Sequence, residues 1–433
     1  MSSPNKFSLI NPNKSPVFYG YIVLIFGSIG VLASIPGQTV GVSVFTDPVK
    51  DALGLSRNQF SNAYMIGTLF SSFFVSKAGV WFDKYGARYV AFFATVLLGF
   101  SLILCSFSVN ISQAISSLLN REIWFIPFTV ITGLFFLIRF SGQGILTMSS
   151  RNMIMMWFDK HRGKVNSISS IGVSLGFSAS PILMNKLIDD NGWETSWQLL
   201  ALCLFIFSFC ILQFYRNKPE DFGMKPDGGV SNKKAVRIEH VENNLTLEEA
   251  KKTRAFWVIG FILAFNSFFS TGFTFHVVSI FGSQDYTKSQ AISVFLPISI
   301  IAISVSTLCN ILSDYMKHKI YILIMILSGV LASIGLMFLS NPIGLYMLIC
   351  GLGVLGGLFS VVNAVTWPRY YGRKYLGSIT GKVMSFLVIA SAIAPSMFSY
   401  CFSILGSYSY ISYVTLGFLV ILLGAFFKVK NPQ

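Results

Sequence analysis

Twelve apolar runs of roughly 20 residues or more follow one another along the 433-residue chain, and they constrain its fold more than any other feature. A helix of about 20 residues crosses the roughly 30 Å of hydrocarbon in a bilayer. With 53% hydrophobic and only 11% charged residues, the chain is too apolar for a soluble protein of this length. The polar and apolar alternation of a membrane barrel is absent. We therefore predict an all-α membrane protein with twelve transmembrane helices.

The runs divide into six and six around a charged segment, which predicts two six-helix bundles. The predicted spans, numbered here as sequence helices 1 to 12, are 18–45, 60–78, 87–109, 124–148, 165–187, 197–215, 255–281, 291–312, 320–339, 343–365, 376–401 and 408–427. The predicted domains are an N-terminal tail (1–17), a first bundle (18–215), a linker (216–254), a second bundle (255–427) and a C-terminal tail (428–433). Within the linker, residues 247–253 are predicted to form a short interfacial helix, with Thr246 as its N-cap.

The distribution of positive charge predicts the orientation of the chain. Most of the 32 Lys and Arg residues fall in the two tails, the linker and the loops on the same side of the bundles. By the positive-inside rule this side, with both termini, is cytoplasmic. The net charge of +15 therefore does not indicate a nucleic-acid partner. No organelle-targeting segment is evident, so we expect a bacterial cytoplasmic membrane, with a eukaryotic plasma or lysosomal membrane as the alternative.

The loop after sequence helix 2 carries a distinctive motif, Gly79-Val-Trp-Phe-Asp83-Lys-Tyr-Gly-Ala-Arg88. We expect a tight charged hairpin, in which Gly79 allows close helix packing and Asp83 faces the positive end of another helix. The second half repeats the step, with Asp314 four residues after Asn310. The pattern resembles the loop signature of the major facilitator superfamily, the twelve-helix secondary transporters. Such repeats imply two bundles around a central cavity, with the substrate near mid-membrane.

The resemblance also implies a gate at these loops. Gly79, Asp83, Arg88, Arg162 and Asp314 would form it. Asp83 would meet the N-terminus of sequence helix 11 and basic residues near Arg162, and Asp314 would meet the N-terminus of sequence helix 5.

Sequence helix 4 holds a second stretch that resembles the superfamily, Arg139-Phe-Ser-Gly142-Gln143-Gly144. A guanidinium in the membrane costs several kcal/mol unless it is paired or hydrated, so Arg139 is expected to face the bundle interior. Gln143 lies one turn on and shares that face. All 17 acidic residues fall in loops or at helix ends, so a charged partner of Arg139 would come from the substrate. A structural arginine that holds backbone carbonyls is the alternative.

The lack of a buried carboxylate argues against a cation or drug exporter and favours a small organic anion or zwitterion. In this superfamily, helices 1, 4, 7 and 10 line the cavity. A break at Pro36-Gly37 is expected to expose backbone groups and bring Gln38 to the cavity. Ser and Thr in membrane helices often bond only to their own backbone, which is the other interpretation of such residues. Besides Arg139 and Gln143, the candidate substrate-binding residues are Gln38, Thr39, Asn266, Thr271, His276 and Asn363.

His276 is the only histidine inside an apolar run, and we expect it to be the only buried group that titrates near neutral pH. It either is a satisfied core residue or takes up a coupled proton or a substrate carboxylate. In the second interpretation, His276 and Arg139 carry the coupling.

Over nearly its whole length the chain resembles the oxalate/formate antiporters and related monocarboxylate porters. Similar stretches are Asp47-Pro-Val-Lys-Asp51, Leu53-Gly-Leu-Ser56 and the segment from Trp157 to Gly163. The resemblance implies that Lys382 in sequence helix 11 binds a carboxylate. Sequence helix 8, however, lacks the arginine that these families commonly place there. Lys382 at the membrane surface, with its charge in water, is therefore an open alternative.

No phosphate-binding loop, metal-ligand cluster or nucleophile paired with a base is recognisable. We therefore expect a secondary active transporter and not an enzyme, with no cofactor or metal, driven by protons or by exchange with a counter-solute. Its partners would be a small-molecule substrate and the lipid bilayer, and the resemblance implies a monomer. A transporter-like receptor that signals through the linker, and a transporter of a neutral solute, are the alternatives.

Overall fold

The structure is a computed structural model that describes residues 11–121, 123–229, 244–312 and 316–429. Within these ranges every regular element is a helix, and strands are absent. The prediction of an all-α fold is therefore confirmed.

Eight α-helices build the first half of the chain. They are α1 (Gly20–Ala33), α2 (Thr39–Val44), α3 (Thr46–Ala52), α4 (Arg57–Ser106), α5 (Ser108–Leu119), α6 (Phe125–Ile138), α7 (Thr147–Trp157) and α8 (Arg162–Phe214). A π-helical turn, Arg139–Leu146, joins α6 to α7, so these elements form one continuous rod.

The second half has the same number of helices. They are α9 (Leu247–Lys252), α10 (Arg254–Gly282), α11 (Lys288–Ser293), α12 (Phe295–Leu312), α13 (His318–Met337), α14 (Pro342–Tyr371), α15 (Leu376–Leu405) and α16 (Ser409–Phe427).

In the part of the chain that the structure describes, nine helices are long and apolar enough to cross a membrane. Two of them, α4 and α8, contain a non-helical residue, Gly86 and Gly192, so each supplies two spans. The shorter apolar α1 is extended by α2 after a break. These helices account for all twelve predicted spans.

The break in α4 lies later than the sequence predicts. The expected span ended at residue 78, but the helix continues to Tyr85, because an apolar run marks only the part inside hydrocarbon. Gly86 ends it with φ +82°, a left-handed conformation that favours glycine. A side chain at Gly86 would meet the side chain of Asn217, which accepts a hydrogen bond from the Arg88 backbone N–H at 3.1 Å. The charged motif is therefore mostly helical.

The break predicted in the first span is confirmed. Residues Ile35–Gly37 form a 3₁₀ turn between α1 and α2, and Gln38 is extended. Pro36 lacks a backbone N–H and so favours an interruption of the regular helix.

The short helix predicted in the linker is also present. Thr246 caps α9, and Glu249 reaches back to the Thr246 N–H across 2.7 Å, which forms a capping box. The charged tract at 230–243, central to the predicted linker, lies outside the described residues.

The described helices divide into two compact units. Unit 1 is drawn from Met1–Asp159, Gly172–Ser231 and Thr380–Ser385, and unit 2 from Lys160–Ile171, Asn232–Ile379 and Phe386–Gln433. The domain boundaries at 18–215 and 255–427 remain a prediction.

Each unit has a fully buried tryptophan at the end of a long helix. In unit 1, Trp157 packs on Tyr19 with ring centroids 5.5 Å apart and donates to the carbonyl of Arg216 at 2.9 Å. In unit 2, Trp367 stacks on Tyr371 at 6.1 Å. Burial lowers the pKa of Arg216, although the nearby Tyr19 opposes the shift. A large aromatic side chain thus anchors each unit near a helix end.

Candidate functional site

Two glycines bring the break after α1 against the π-helical turn in unit 1. A Cβ at Gly142 would lie 2.8 Å from the Cα of Gly37, and a Cβ at Gly37 would meet the carbonyl of Ile138. Only residues without a side chain permit such a close approach of two backbones. The contact places the backbone of the first span beside Arg139, the first residue of the turn.

Arg139 is held in this contact by one end of its guanidinium. Nη1 donates to the Gly37 carbonyl at 3.2 Å and to Thr39 Oγ1 at 3.3 Å. The group also lies 5.2 Å from the ring centroid of Tyr64, whose hydroxyl donates to Thr39 at 3.0 Å. These contacts fix the orientation of the guanidinium.

The other edge of Arg139 has no partner among the described residues. The side chain is only 1% exposed, and its Nε and Nη2 atoms are buried without a hydrogen bond to any residue in the described ranges. These two N–H groups point in parallel, the arrangement that binds both oxygens of a carboxylate. Oε1 of Gln143, one turn along, is likewise buried and unpaired. The turn therefore holds a cationic donor pair and a neutral acceptor.

The hydrogen bonds of Gln38 connect the break after α1 to neighbouring polar side chains. Its amide nitrogen donates to Ser34 Oγ at 3.1 Å and to Thr147 Oγ1 at 2.9 Å, and those two hydroxyls lie 2.8 Å apart. The network ties the break to the start of α7. Thr39 is exposed and links Arg139 to Tyr64. Tyr64 was not predicted as a site residue, because nothing in the sequence separates it from the other aromatic residues of its span.

The three unit 2 candidates on α10 differ in their burial and in their hydrogen bonds. Asn266 is 7% exposed, and its Oδ1 is buried without a partner in the described chain. Thr271 shares a 3.0 Å hydrogen bond with Ser391. His276 is half-buried, and because a carbonyl only accepts, its Nε2 donates to the Pro395 carbonyl at 2.8 Å.

On α14, Asn363 is half-buried. Three residues on, Thr366 is fully buried, and its Oγ1 has no partner within the described ranges. Buried polar atoms without partners are uncommon and require a physical reason. Asn266 and Thr366 therefore stand out among the polar residues of unit 2.

A second histidine is buried in unit 2, which the sequence did not lead us to expect. His318, the first residue of α13, is 3% exposed and packs against Tyr321 with ring centroids 5.6 Å apart. His318 lies between two lysines and outside the predicted spans, so the sequence gives no sign of its burial. Burial comes from the packing of α14, which linear sequence does not reveal.

Three of the predicted gate residues, Gly79, Asp83 and Arg88, lie in unit 1. A Cβ at Gly381 would lie 2.9 Å from the Cα of Gly79, so these two backbones touch. Arg88 is buried, and its guanidinium donates to the Leu212 carbonyl. Asp83 is half-buried within the last helical turn before Gly86. Their part in gating remains a prediction.

Three predicted site residues remain, namely Arg162, Lys382 and Asp314. Arg162 is buried at the start of α8, and Lys382 is half-buried on the short segment of α15 that belongs to unit 1. Asp314 lies outside the described residues. Within the described ranges no cluster of three or more His, Cys, Asp or Glu residues could hold a metal ion.

Comparisons with known proteins identify the family. A model of the Major Facilitator Superfamily matches residues 17–395. "MFS-type transporter 1" of Ophiocordyceps sp. is 30% identical over 131 residues, 29% of this chain and 24% of the relative. The "Hexuronate transporter" of Bacillus subtilis is 26% identical over 187 residues, 42% of this chain and 39% of the relative. The matches thus span less than half of each relative.

Solved structures agree at the level of the fold. A bacterial homologue of the iron transporter ferroportin, in its outward-facing state, superposes with a TM-score of 0.64 at 13% identity, covering 94% of this chain and 98% of that chain. The branch of oxalate/formate antiporters is not identified by these matches. Since the family model covers most of the sequence, the chain belongs to the Major Facilitator Superfamily, whose members are transporters and not enzymes.

Proposed function

We propose that the protein is a secondary transporter of a small organic anion or zwitterion that carries a carboxylate. The observation that carries this proposal is the Nε and Nη2 edge of Arg139, which is buried without a partner in the described chain, as is Oε1 of Gln143 one turn along. Alternating access of the two bundles would expose this edge to solute during part of the cycle.

The positive charge of Arg139 favours an anionic ligand. A buried guanidinium is costly unless it is paired, and no described carboxylate pairs with Arg139. The contacts of Nη1 with Gly37 and Thr39 hold the group in place but neutralise no charge. A substrate carboxylate on the parallel N–H groups would supply both the counter-charge and two hydrogen bonds. Arginine suits this geometry better than lysine.

The sequence similarity to a hexuronate transporter is compatible with this class, because a hexuronate is a sugar acid with one carboxylate. The proposal is therefore restricted to carboxylate-bearing metabolites, without a choice among them. We also propose that the protein lies in the cytoplasmic membrane of a bacterium, with both termini in the cytoplasm. A monomer suffices for this function.

For the driving force we propose proton coupling or exchange. His276 is a candidate proton carrier, because its Nε2 already donates to Pro395 and its Nδ1 could take up a proton without loss of that bond. Tyr408 packs beside the ring at 5.7 Å. His276→Gln should then abolish the pH dependence of uptake, and an unchanged pH dependence would remove His276 from the coupling.

Ligand-induced thermal stabilisation tests the substrate class. Ligands that bind only the folded protein raise its apparent stability, whatever the coupling ion. A panel of carboxylates, amino acids, sugars, nucleosides and cationic drugs is compared for wild type, Arg139→Lys, Arg139→Ala and the exposed control Arg121→Ala. We expect a carboxylate to stabilise wild type and the control. Arg139→Lys should bind it about tenfold or more weakly, because the charge remains but the donor pair is lost.

Two outcomes would count against the proposal. Stabilisation by a neutral or cationic compound, retained in both Arg139 variants, would make Arg139 structural and favour a neutral substrate. Binding without accumulation in proteoliposomes would instead favour the receptor alternative.

A further inference from the structure

An apolar groove of about 380 Å³ lies behind the π-helical turn in unit 1. Its walls come from both spans of α4, with Trp81, Tyr85, Tyr89 and Leu97, and from the turn itself, with Phe140 and Ile145. The lining is almost entirely carbon, so a charged or strongly polar solute is excluded. The groove is therefore distinct from the Arg139 edge, although one helical turn contributes to both.

The part of α4 that runs from the break to the inner lining residue Leu97 is about as long as one leaflet of a bilayer is thick. From the break at Gly86 to Leu97, eleven residues of helix correspond to about 16 Å. Half of the hydrocarbon thickness is about 15 Å. An acyl chain that enters beside the break would therefore reach the residues of the π-helical turn.

The mouth of the groove has the chemistry of a membrane interface. Trp81, Tyr85 and Tyr89 are all partly exposed there, and such aromatic residues favour the headgroup level. Lys84 lies with its Nζ 5.0 Å from the Tyr85 ring centroid, and the Arg88 guanidinium lies 5.9 Å from the ring of Tyr89. Lys84 is exposed, so its charge is available beside the mouth, whereas the Arg88 guanidinium is buried and donates to the Leu212 carbonyl.

We propose that the groove binds one anionic phospholipid, with an acyl chain against Phe140 and Ile145 and the phosphate beside Lys84. The apolar walls and the length of the lining helix favour an acyl chain, and the exposed Lys84 favours a negative headgroup. The bound chain would pack on the rear of the π-helical turn and restrict its motion. The inference does not depend on the proposed substrate.

Lipid retention measured by native mass spectrometry tests the proposal on the full-length protein. The protein is released from bilayers that contain equal amounts of phosphatidylglycerol and phosphatidylcholine. We expect wild type to retain one phosphatidylglycerol in preference to phosphatidylcholine. Lys84→Gln should reduce this preference about fivefold, the contribution of one basic residue near anionic lipid.

A second variant tests the groove itself. Leu97→Trp should fill it and remove the retained lipid, whereas Phe73→Trp, on the exposed surface of α4 away from the groove, should retain it. Hydrogen exchange of the amides at 139–146 gives an independent measurement. Phosphatidylglycerol should slow this exchange in wild type and in Phe73→Trp, but not in Leu97→Trp.

Each contrary result overturns the proposal. Equal retention of the two lipids by wild type would remove the anionic headgroup from it. Retention and exchange that are unchanged in a folded Leu97→Trp variant would place the lipid elsewhere. If Leu97→Trp does not fold, the lipid dependence of exchange at 139–146 in wild type alone decides, and its absence contradicts the assignment.

Discussion

Nη1 of Arg369 donates a hydrogen bond to Nδ1 of His318 across 3.1 Å within unit 2. A guanidinium offers only donors, so Nδ1 is unprotonated and the histidine is neutral in this contact. His318 is 3% exposed, and the bond joins the start of α13 to the last turn of α14. A residue that looks like part of a charged loop thus connects two long helices.

His318→Leu should lower the free energy of unfolding by about 1–3 kcal/mol, because the charged, half-buried donor Arg369 loses its acceptor. His318→Asn should cost less, since its Oδ1 can replace Nδ1 as the acceptor. Thermal unfolding of the two purified variants gives the comparison. Equal losses would show that packing, and not the hydrogen bond, accounts for the effect.

Gly142→Ala should destabilise the protein by about 1–3 kcal/mol, because the new Cβ would lie 2.8 Å from Gly37 Cα and separate the two backbones. Gly133→Ala on α6 is the matched control, since its Cβ would meet nothing within 4 Å. It should be neutral or more stable by up to about 1 kcal/mol. Similar unfolding temperatures for the two variants would contradict the close approach.

A double-mutant cycle should detect coupling between Asn166 and Asn310. The Asn166 amide donates to Asn310 Oδ1 at 2.7 Å, and Asn310 donates in turn to Ser306 at 3.2 Å. Asn166→Ala and Asn310→Ala should each lower stability, with an interaction free energy of about 1 kcal/mol between them. Strict additivity of the two losses would argue that the bond contributes nothing.

The pH dependence of α9 should follow Glu249. Two hydrogen bonds lower the pKa of this carboxyl. The larger effect comes from the Thr246 backbone N–H and the smaller from the Thr246 hydroxyl. Because the pKa of Glu249 is lower in the folded state, its ionised carboxylate stabilises the helix at pH values above the ordinary pKa of glutamate. This stabilisation is lost as the pH falls through the lowered pKa. Hydrogen exchange at 247–252, corrected for the intrinsic rate, should show less protection at about pH 3 than at about pH 6.

Glu249→Gln should remove that pH dependence, because an amide does not ionise. Glu248→Gln is the control, since Glu248 is exposed and pairs with Lys251 in the following turn at 2.8 Å, outside the capping box. Protection in wild type that is equal at both pH values would contradict the role of the capping box.

Asp83→Ala should shift the equilibrium between the two access states with little loss of expression. The expectation rests on the loop motif and on the position of Asp83 in the last turn before Gly86. Alkylation of single cysteines placed on either side of the membrane reports the equilibrium. An unaltered alkylation pattern together with normal transport kinetics would argue against gating by Asp83.

Much of the fold was predictable because the bilayer imposes it. Long apolar runs have to form helices, since each backbone polar group needs a partner in hydrocarbon. Local chemistry also gave the interruption at Pro36 and the Thr246 cap, because both act within a few residues. The end of the first span of α4 was misplaced, since hydropathy reports depth in the membrane and not helical conformation.

By itself, the sequence determined the membrane class, the helical spans, the family resemblance and the prominence of Arg139. Only the tertiary structure decided that Nη1 of Arg139 contacts Gly37 while Nε and Nη2 stay unpaired, and that His318 is buried. Hydropathy and capping depend on neighbouring residues, which the sequence contains. Hydrogen-bond partners and burial depend on helices that are distant in the chain, and packing alone brings these together.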